Sequence, residues 1–256
     1  MLFRSMVNFV GAGCGSPDLI TLRGHRLISE ADVIIYAGSL VNPELLDFAR
    51  KDCEIYNSAY MNLDEVIEVM KNAERDGKMT VRLHTGDPSV YGAIREQMDR
   101  LKVLEIPYEI CPGVSSFCGA AAALKAEYTL PDVSQTVIIT RMAGRTPVPP
   151  KEDISELAKH GATMVVFLST GMLAELSQKL IVGGYSPETS AAIVYKASWE
   201  DEKVCRCTVK TLAETAEKNN IKKTALITVG EFLGDDYSLS KLYDSEFETE
   251  FRKVKK

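Results

Sequence analysis

Short apolar runs that stop at small-residue turns and give way to apolar residues at helical spacing recur along this chain, and that alternation limits its fold more than any other feature. In the first half the runs are Val7-Asn8-Phe9-Val10, Val33-Ile34-Ile35-Tyr36, Cys53-Glu54-Ile55-Tyr56, residues 79–84 and Tyr108-Glu109-Ile110-Cys111. Helical patterns cover residues 19–28, 63–75 (apolar at Leu63, Val66, Ile67 and Met70), the stretch beyond Pro88 (Val90, Ile94, Met98 and Leu101) and 117–124. Strands alternating with helices build βα units and a mainly parallel sheet, and open sheets of that kind bind ligands outside the carboxyl ends of their strands.

Three of those ends carry glycine: Gly11-Ala12-Gly13-Cys14-Gly15-Ser16-Pro17-Asp18, Gly86-Asp87-Pro88 and Pro112-Gly113-Val114-Ser115-Ser116. Glycine leaves the backbone bare, so three such turns at one sheet edge make a surface for a flat or extended ligand. Gly-Asp-Pro by itself is an ordinary strand-to-helix turn, with Pro88 pushing Asp87 into an extended conformation and Asp87 or Ser89 placed to cap the next helix. Its position after a parallel strand is what points to a ligand. A dinucleotide fingerprint does not fit, because G-x-G-x-x-G requires glycine where Ser16 stands and an acid closing the second strand, whereas Asp32 precedes that strand. The missing acid also weighs against the common Rossmann-like methyltransferases.

Thr129-Leu130-Pro131-Asp132-Val133 interrupts both periodicities and reads as a junction. A second α/β series follows, with strands at residues 136–140, 164–168, 191–195, 203–208 and 225–229 and helices at 154–159, 173–181 and 212–218. Residues 196–202 are too few for a helical crossover, so the second sheet is expected to be mixed. The expected division is therefore an α/β domain over residues 1–130, a second over 131–234, and a charge-rich tail over 235–256.

With 256 residues and 45% hydrophobic content the chain can bury a sizeable core. A net charge of −6 without a long basic run speaks against a nucleic acid partner. No stretch is apolar enough to span a bilayer and the start has no signal-peptide pattern, so no membrane partner and a cytoplasmic location are expected. The six cysteines form no C-x-x-C pair and nothing has metal-ligand spacing, so reduced thiols and no metal are expected.

A strand followed by Gly-x-Gly-x-Gly-x-x-Asp, a strand followed by Gly-Asp-Pro-x-x-Tyr-Gly and a strand followed by Pro-Gly-Val-Ser-Ser, in this order, closely resemble the tetrapyrrole methylase family of S-adenosylmethionine-dependent enzymes. The resemblance covers residues 6–234. Thr140-Arg141-Met142-Ala143-Gly144-Arg145-Thr146-Pro147-Val148-Pro149 and Val194-Tyr195-Lys196-Ala197-Ser198-Trp199 are similar to the branch that methylates C11 of precorrin-4 or cobalt-precorrin-4 in cobalamin biosynthesis. The resemblance implies the tetrapyrrole methylase fold, two α/β domains closing on an interdomain trough, S-adenosyl-L-methionine as methyl donor, an anionic tetrapyrrole as acceptor and a homodimer. Residue by residue, it carries donor contacts onto Cys14 (a position often proline), Thr85, Gly86, Asp87, Val90, Ser115, Ser116, Leu168 or Ser169, Ala197, and Ala225-Leu226.

Methyl transfer from a sulfonium to an electron-rich ring carbon is an in-line displacement in which positioning does most of the work, about 7–11 kcal/mol where the near-attack geometry is held. No general base is assigned. His84 ends a strand beside the site and can reach a proton there, though a hydrogen-bonded structural histidine is the commoner role for such a residue. His25 and His160 lie in helical patterns and read as surface residues. For the carboxylates of the macrocycle the cations are Arg82, Arg95, Arg141, Arg145 and Lys196, and the planar fork of arginine favours Arg141 and Arg145 in the proline-rich loop. Two other readings stay open. One is another ring position or substrate in the same family, including the diphthine branch, against which the 145–149 loop speaks. The other is a non-catalytic nucleotide- or tetrapyrrole-binding module.

Overall fold

A computed structural model of the chain describes residues 6–38 and 40–253. They fall into two compact units: the residues up to Ala122 together with Lys196–Glu202, and Ala123–Tyr195 together with the chain from Lys203 onward.

In the first unit β1 (Val7–Gly11), β2 (Val33–Tyr36), β3 (Glu54–Asn57), β4 (Thr80–His84) and β5 (Tyr108–Cys111) form a sheet in the order β3-β2-β4-β1-β5. Every pairing is parallel. All residues of the central strands β1 and β4 are buried, which explains their near-continuous apolar runs: a parallel sheet is covered on both faces. On one face Ile28 of α1 (Leu22–Glu30) packs with Val10, Ile34, Val81 and Leu83. On the other, Val66, Ile67 and Met70 of α2 (Leu63–Arg75) and Leu101 of α3 (Arg95–Val103) pack with Val7, Phe9, Val33 and Ile35. Each buried side chain of this size contributes about 1.5–3 kcal/mol. The start of α2 is fixed by a capping box in which Asn62 and Glu65 each accept the other's backbone N–H. The small-residue helix α4 (Ser116–Leu124) follows β5.

Two helix starts differ from the sequence reading. Residues 17–19 make a single 3-10 turn, and α1 begins only after Thr21, whose hydroxyl accepts the Gly24 N–H. The helix expected directly after Pro88 begins at Arg95 instead, because Tyr91 (φ 56°) and Ala93 (φ 49°) are left-handed and no helix can run through them. Val90 therefore lies in a loop, and neither Asp87 nor Ser89 caps α3.

In the second unit β6 (Val137–Arg141), β7 (Thr163–Phe167), β8 (Ser190–Tyr195), β9 (Lys203–Thr208) and β10 (Ala225–Val229) are ordered β6-β7-β10-β8-β9. Only the β6–β7 pairing is parallel, so this sheet is mixed, as the short 196–202 connection implied. Its core joins Met164, Val166, Ile193 and Ile227 to Ile154 of α5 (Ile154–Ala158), Leu176 and Leu180 of α6 (Leu173–Val182) and Leu212 of α7 (Leu212–Lys218). In the tail, the Arg252 guanidinium donates to the carbonyls of Leu242, Asp244 and Phe247. Among the described residues no helix is long and apolar enough to cross a membrane.

Candidate functional site

Strands β1 and β4 are neighbours, yet the helices that follow them, α1 and α3, lie on opposite faces of the sheet. In open α/β sheets a ligand site sits at such a switch point. Here the strands continue into turns bonded to one another. Ala12 N–H donates to the His84 carbonyl (2.7 Å), Gly86 N–H to the Gly13 carbonyl (2.9 Å) and Gly13 N–H back to the Gly86 carbonyl (3.3 Å). The third turn is tied in by Asp87, whose Oδ2 accepts the Gly113 N–H at 2.9 Å. Its Oδ1 accepts from the Ser89 N–H and hydroxyl. Burial opposes the charge on Asp87, but the bonds from Ser89 and Gly113 outweigh it and hold the carboxyl below the usual carboxylate range. Asp87 is thus a clamp between turns rather than a helix cap.

Contact this close requires bare backbone. A Cβ at Gly11 would lie 2.6 Å from both the Gly113 nitrogen and the Gly86 oxygen, so a side chain there would force the turns apart. Gly86 differs: its φ of +63° favours glycine, but a Cβ would meet only ordinary contacts, 3.4 Å from Ser115 Cα. Beside it the Thr85 hydroxyl is buried and has no hydrogen-bond partner among the described residues. A buried hydroxyl without a partner is costly. Ser115 is buried and its carbonyl accepts from Cys118 and Gly119 at the start of α4, where Ser116 is the first residue. Val90 N–H donates to the Asp87 carbonyl.

Segment Lys196–Glu202, which links β8 to β9, belongs to this same unit. Ser198 Oγ accepts the Ser16 N–H (3.0 Å) and lies 3.4 Å from the Cys14 sulfur, while a Cβ on Gly119 would sit 3.4 Å from the Ala197 Cβ. Ala197 therefore joins Cys14 and Gly119 at the first turn. Asn42, also buried, donates to the Gly15 carbonyl and holds the turn from the other side. The sequence gives no sign of Ser198 or Asn42 as site residues: Asn42 also accepts the Glu44 N–H, but nothing local connects it to Gly15.

The titratable candidates fare differently. His84 is 4% exposed with Nε2 unpartnered among the described residues, and burial together with nearby Arg82 pushes its pKa down to about 3, so the imidazole is neutral. Arg82, a sequence candidate for macrocycle carboxylates, is buried in β4; its Nε donates to Gln97 and its Nη1 to the Ile35 carbonyl. A strand covered on both faces gives no local sign in the sequence of which way its arginine points. Lys196 pairs with Asp201 at 2.7 Å and lies 5.1 Å from the centre of the Trp199 ring. Arg95 is paired with Asp99 on α3. His25 is exposed on α1 against the Phe48 ring, and His160 is exposed just beyond α5.

The second unit gathers the remaining candidates at one end of its sheet. Because β10 runs antiparallel to β7, its first residues Ala225 and Leu226 lie at the end where Arg141 closes β6 and Leu168 follows β7. Leu168 is left-handed (φ 53°) and 61% exposed. Ser169 is fully buried: its hydroxyl donates to the Phe167 carbonyl and accepts the Met142 N–H. Arg141 donates to the carbonyls of Met142, Thr146 and Pro147, bracing the 141–149 loop from within, whereas Arg145 is exposed. Among the described residues no group of three or more His, Cys, Asp or Glu side chains could hold a metal ion.

Residues 6–213 match the model of the Tetrapyrrole (Corrin/Porphyrin) Methylases. The cobalt-precorrin-4 C(11)-methyltransferase of Methanocaldococcus jannaschii is 59% identical over 251 residues, 98% of this chain and 97% of that one. The X-ray structure of a cobalamin biosynthetic enzyme, cobalt precorrin-4 methyltransferase, is similar with a TM-score of 0.89 at 46% identity, over 91% of this chain and 97% of that one. Uroporphyrin-III C-methyltransferase from Thermus thermophilus, complexed with S-adenyl homocysteine, is similar with a TM-score of 0.75 at 26% identity, over 89% of this chain and 93% of that one. A parallel sheet ending in three interlocked glycine turns, a mixed sheet after it, and a match that runs through both lead to one conclusion: the chain belongs to the tetrapyrrole (corrin/porphyrin) methylase family.

Proposed function

We propose that this chain is an S-adenosylmethionine-dependent C-methyltransferase acting at C11 of precorrin-4 or of its cobalt-bearing form, the latter being the substrate in the name of its Methanocaldococcus jannaschii relative. The observation that carries the reading is the interlocked bare backbone of the three turns with the buried, unpartnered Thr85 hydroxyl beside it. Those residues fit the donor, whose demethylated form, S-adenyl homocysteine, is bound by the Thermus thermophilus relative. The turn at Thr85, Gly86 and Asp87, with Val90, Ser115, Ser116, Cys14 and Ala197 around it, holds and orients the ligand.

The donor supplies an electrophilic methyl group on its sulfonium. The chain's own contribution is to fix two reactants in line, which accounts for about 7–11 kcal/mol of barrier without acid–base chemistry. His84 is given no role as a base, since its free nitrogen is sealed inside the first unit. Arg145, exposed in the loop that Arg141 stiffens, is our candidate for gripping a macrocycle carboxylate, with Lys196 second because Asp201 competes for it. Any cobalt is cargo of the macrocycle. We also propose a homodimer in the cytoplasm, carried from the family resemblance; light scattering at micromolar concentration that reports only monomer would remove the dimer.

Incubation with methyl-labelled donor and either macrocycle tests the reading, with the product analysed by mass spectrometry and NMR. One methyl added at C11 with matching release of S-adenosylhomocysteine is expected. A methyl elsewhere on the ring would move the chain to another branch, and binding without release would make it a binding module.

A further inference from the structure

Arg82 is a buried cation with no part in the mechanism proposed above. It is 7% exposed in the interior of β4; burial alone pulls its pKa down to about 10, with no carboxylate to offset it, and it stays charged at neutral pH. Its Nη1 donates to the Ile35 carbonyl of β2, its register partner, and its Nε donates to Gln97 Oε1, each at 3.1 Å. Gln97, 5% exposed on α3, then donates from Nε2 to the Ala93 carbonyl at 3.1 Å. A guanidinium has only donors, so it can meet only the oxygen of the amide; this sets the glutamine with its NH2 group toward Ala93.

Ala93 and Tyr91 are the two left-handed residues that delay α3, a conformation unfavourable for any residue with a Cβ. Residues 85–94 are accordingly held at the front by the Gly86–Gly13 backbone pair and by Asp87 on Gly113, and at the rear by Gln97 on the Ala93 carbonyl. We propose that Arg82 and Gln97 are positioning residues, a buried latch that holds residues 85–94 on this course and so sets Gly86 and Asp87 against the first and third turns. The effect on ligand affinity rests on the donor reading above; the ordering of the loop does not.

Gln97→Glu separates the latch from mere packing. The carboxylate keeps an oxygen for Arg82 and adds the missing counter-charge, but it loses the N–H donor and turns an anion toward the Ala93 carbonyl. Hydrogen exchange and S-adenosylhomocysteine calorimetry are read on the full chain, with thermal midpoints alongside. The variant is expected to keep or raise the midpoint, while amides of residues 89–94 exchange about tenfold faster and ligand affinity falls by about the same factor. Gln97→Met, lacking both bonds, should loosen the same segment and also lower the midpoint, and it serves if the glutamate variant does not fold. Arg82→Lys should keep only part of the protection, because a point charge does not fix the amide as the fork does. Unchanged exchange over residues 89–94, or an increase spread evenly through the first unit, overturns the latch. Should the wild-type chain fail to bind S-adenosylhomocysteine, the donor reading falls, and the exchange data still decide the latch.

Discussion

The two sheet ends that carry the candidate residues are built in opposite ways. In the first unit the turns after β1, β4 and β5 touch backbone to backbone, with glycine at the contacts and one carboxylate, Asp87, closing the set. In the second, side chains do the joining: Ser169 bridges the Phe167 carbonyl and the Met142 N–H, Thr170 donates to the Ala225 carbonyl, and Arg141 gathers three carbonyls of its own loop. The first end tolerates no added atoms at Gly11 or Gly113, while a Cβ on Gly86 meets only ordinary contacts. The second engages its polar side chains internally, which leaves Ser169 and Arg141 little to offer a ligand.

Four changes test that contrast, beginning with the largest. A Cβ at Gly113 would lie 2.7 Å from Gly11 Cα, backbone against backbone with nowhere to move. Gly113→Ala is therefore expected to destabilise by about 3 kcal/mol in urea denaturation; a loss within error would show that the glycines are not what lets the turns lock. Ser169→Ala leaves the buried Met142 N–H without its partner and should cost about 2 kcal/mol, and a neutral result would mean the second end does not depend on side-chain donors.

Acid distinguishes the units next. The folded pKa of His84, about 3, lies below its ordinary 6.5, so its stabilising effect is complete above pH 6.5 and is lost as pH falls toward 3. Stability should drop by about 1.5 kcal/mol between pH 6.5 and 5, where few carboxylates titrate, and His84→Leu should flatten that slope. A wild-type profile already flat there would mean that the imidazole can be protonated in place. The smallest effect is a gain: Thr85→Val removes an unpartnered buried hydroxyl and should stabilise the ligand-free chain by about 1 kcal/mol while weakening donor binding. No gain would mean that the hydroxyl is already satisfied.

Much of this architecture could be read from the sequence wherever the cause is local. The span of α2 follows from the Asn62–Glu65 cap and a clean helical period, and β2, β5, β9 and β10 from apolar runs bounded by turns. The glycine turns were legible as bare backbone, though their mutual bonding was not, since Asp87 and Gly113 meet only once β4 and β5 flank β1. Residues 85–94 misled because Tyr91 and Ala93 adopt left-handed backbone without the glycine or asparagine that signals it. The burial of Arg82 could not be read because its partner Gln97 sits on the next helix, nor the bond of Ser198 because its partner Ser16 is 182 residues away.

The central claim, that the turn at Gly86 holds the methyl donor, is tested most directly by S-adenosylhomocysteine calorimetry on Gly86→Val. At φ +63° the substitution brings backbone strain of at least about 1–2 kcal/mol, while the added Cβ itself meets only ordinary contacts, and a thermal midpoint read alongside shows that the variant is folded. The account predicts a folded variant that no longer binds the ligand that the wild-type chain binds; a folded variant with unchanged affinity would contradict it.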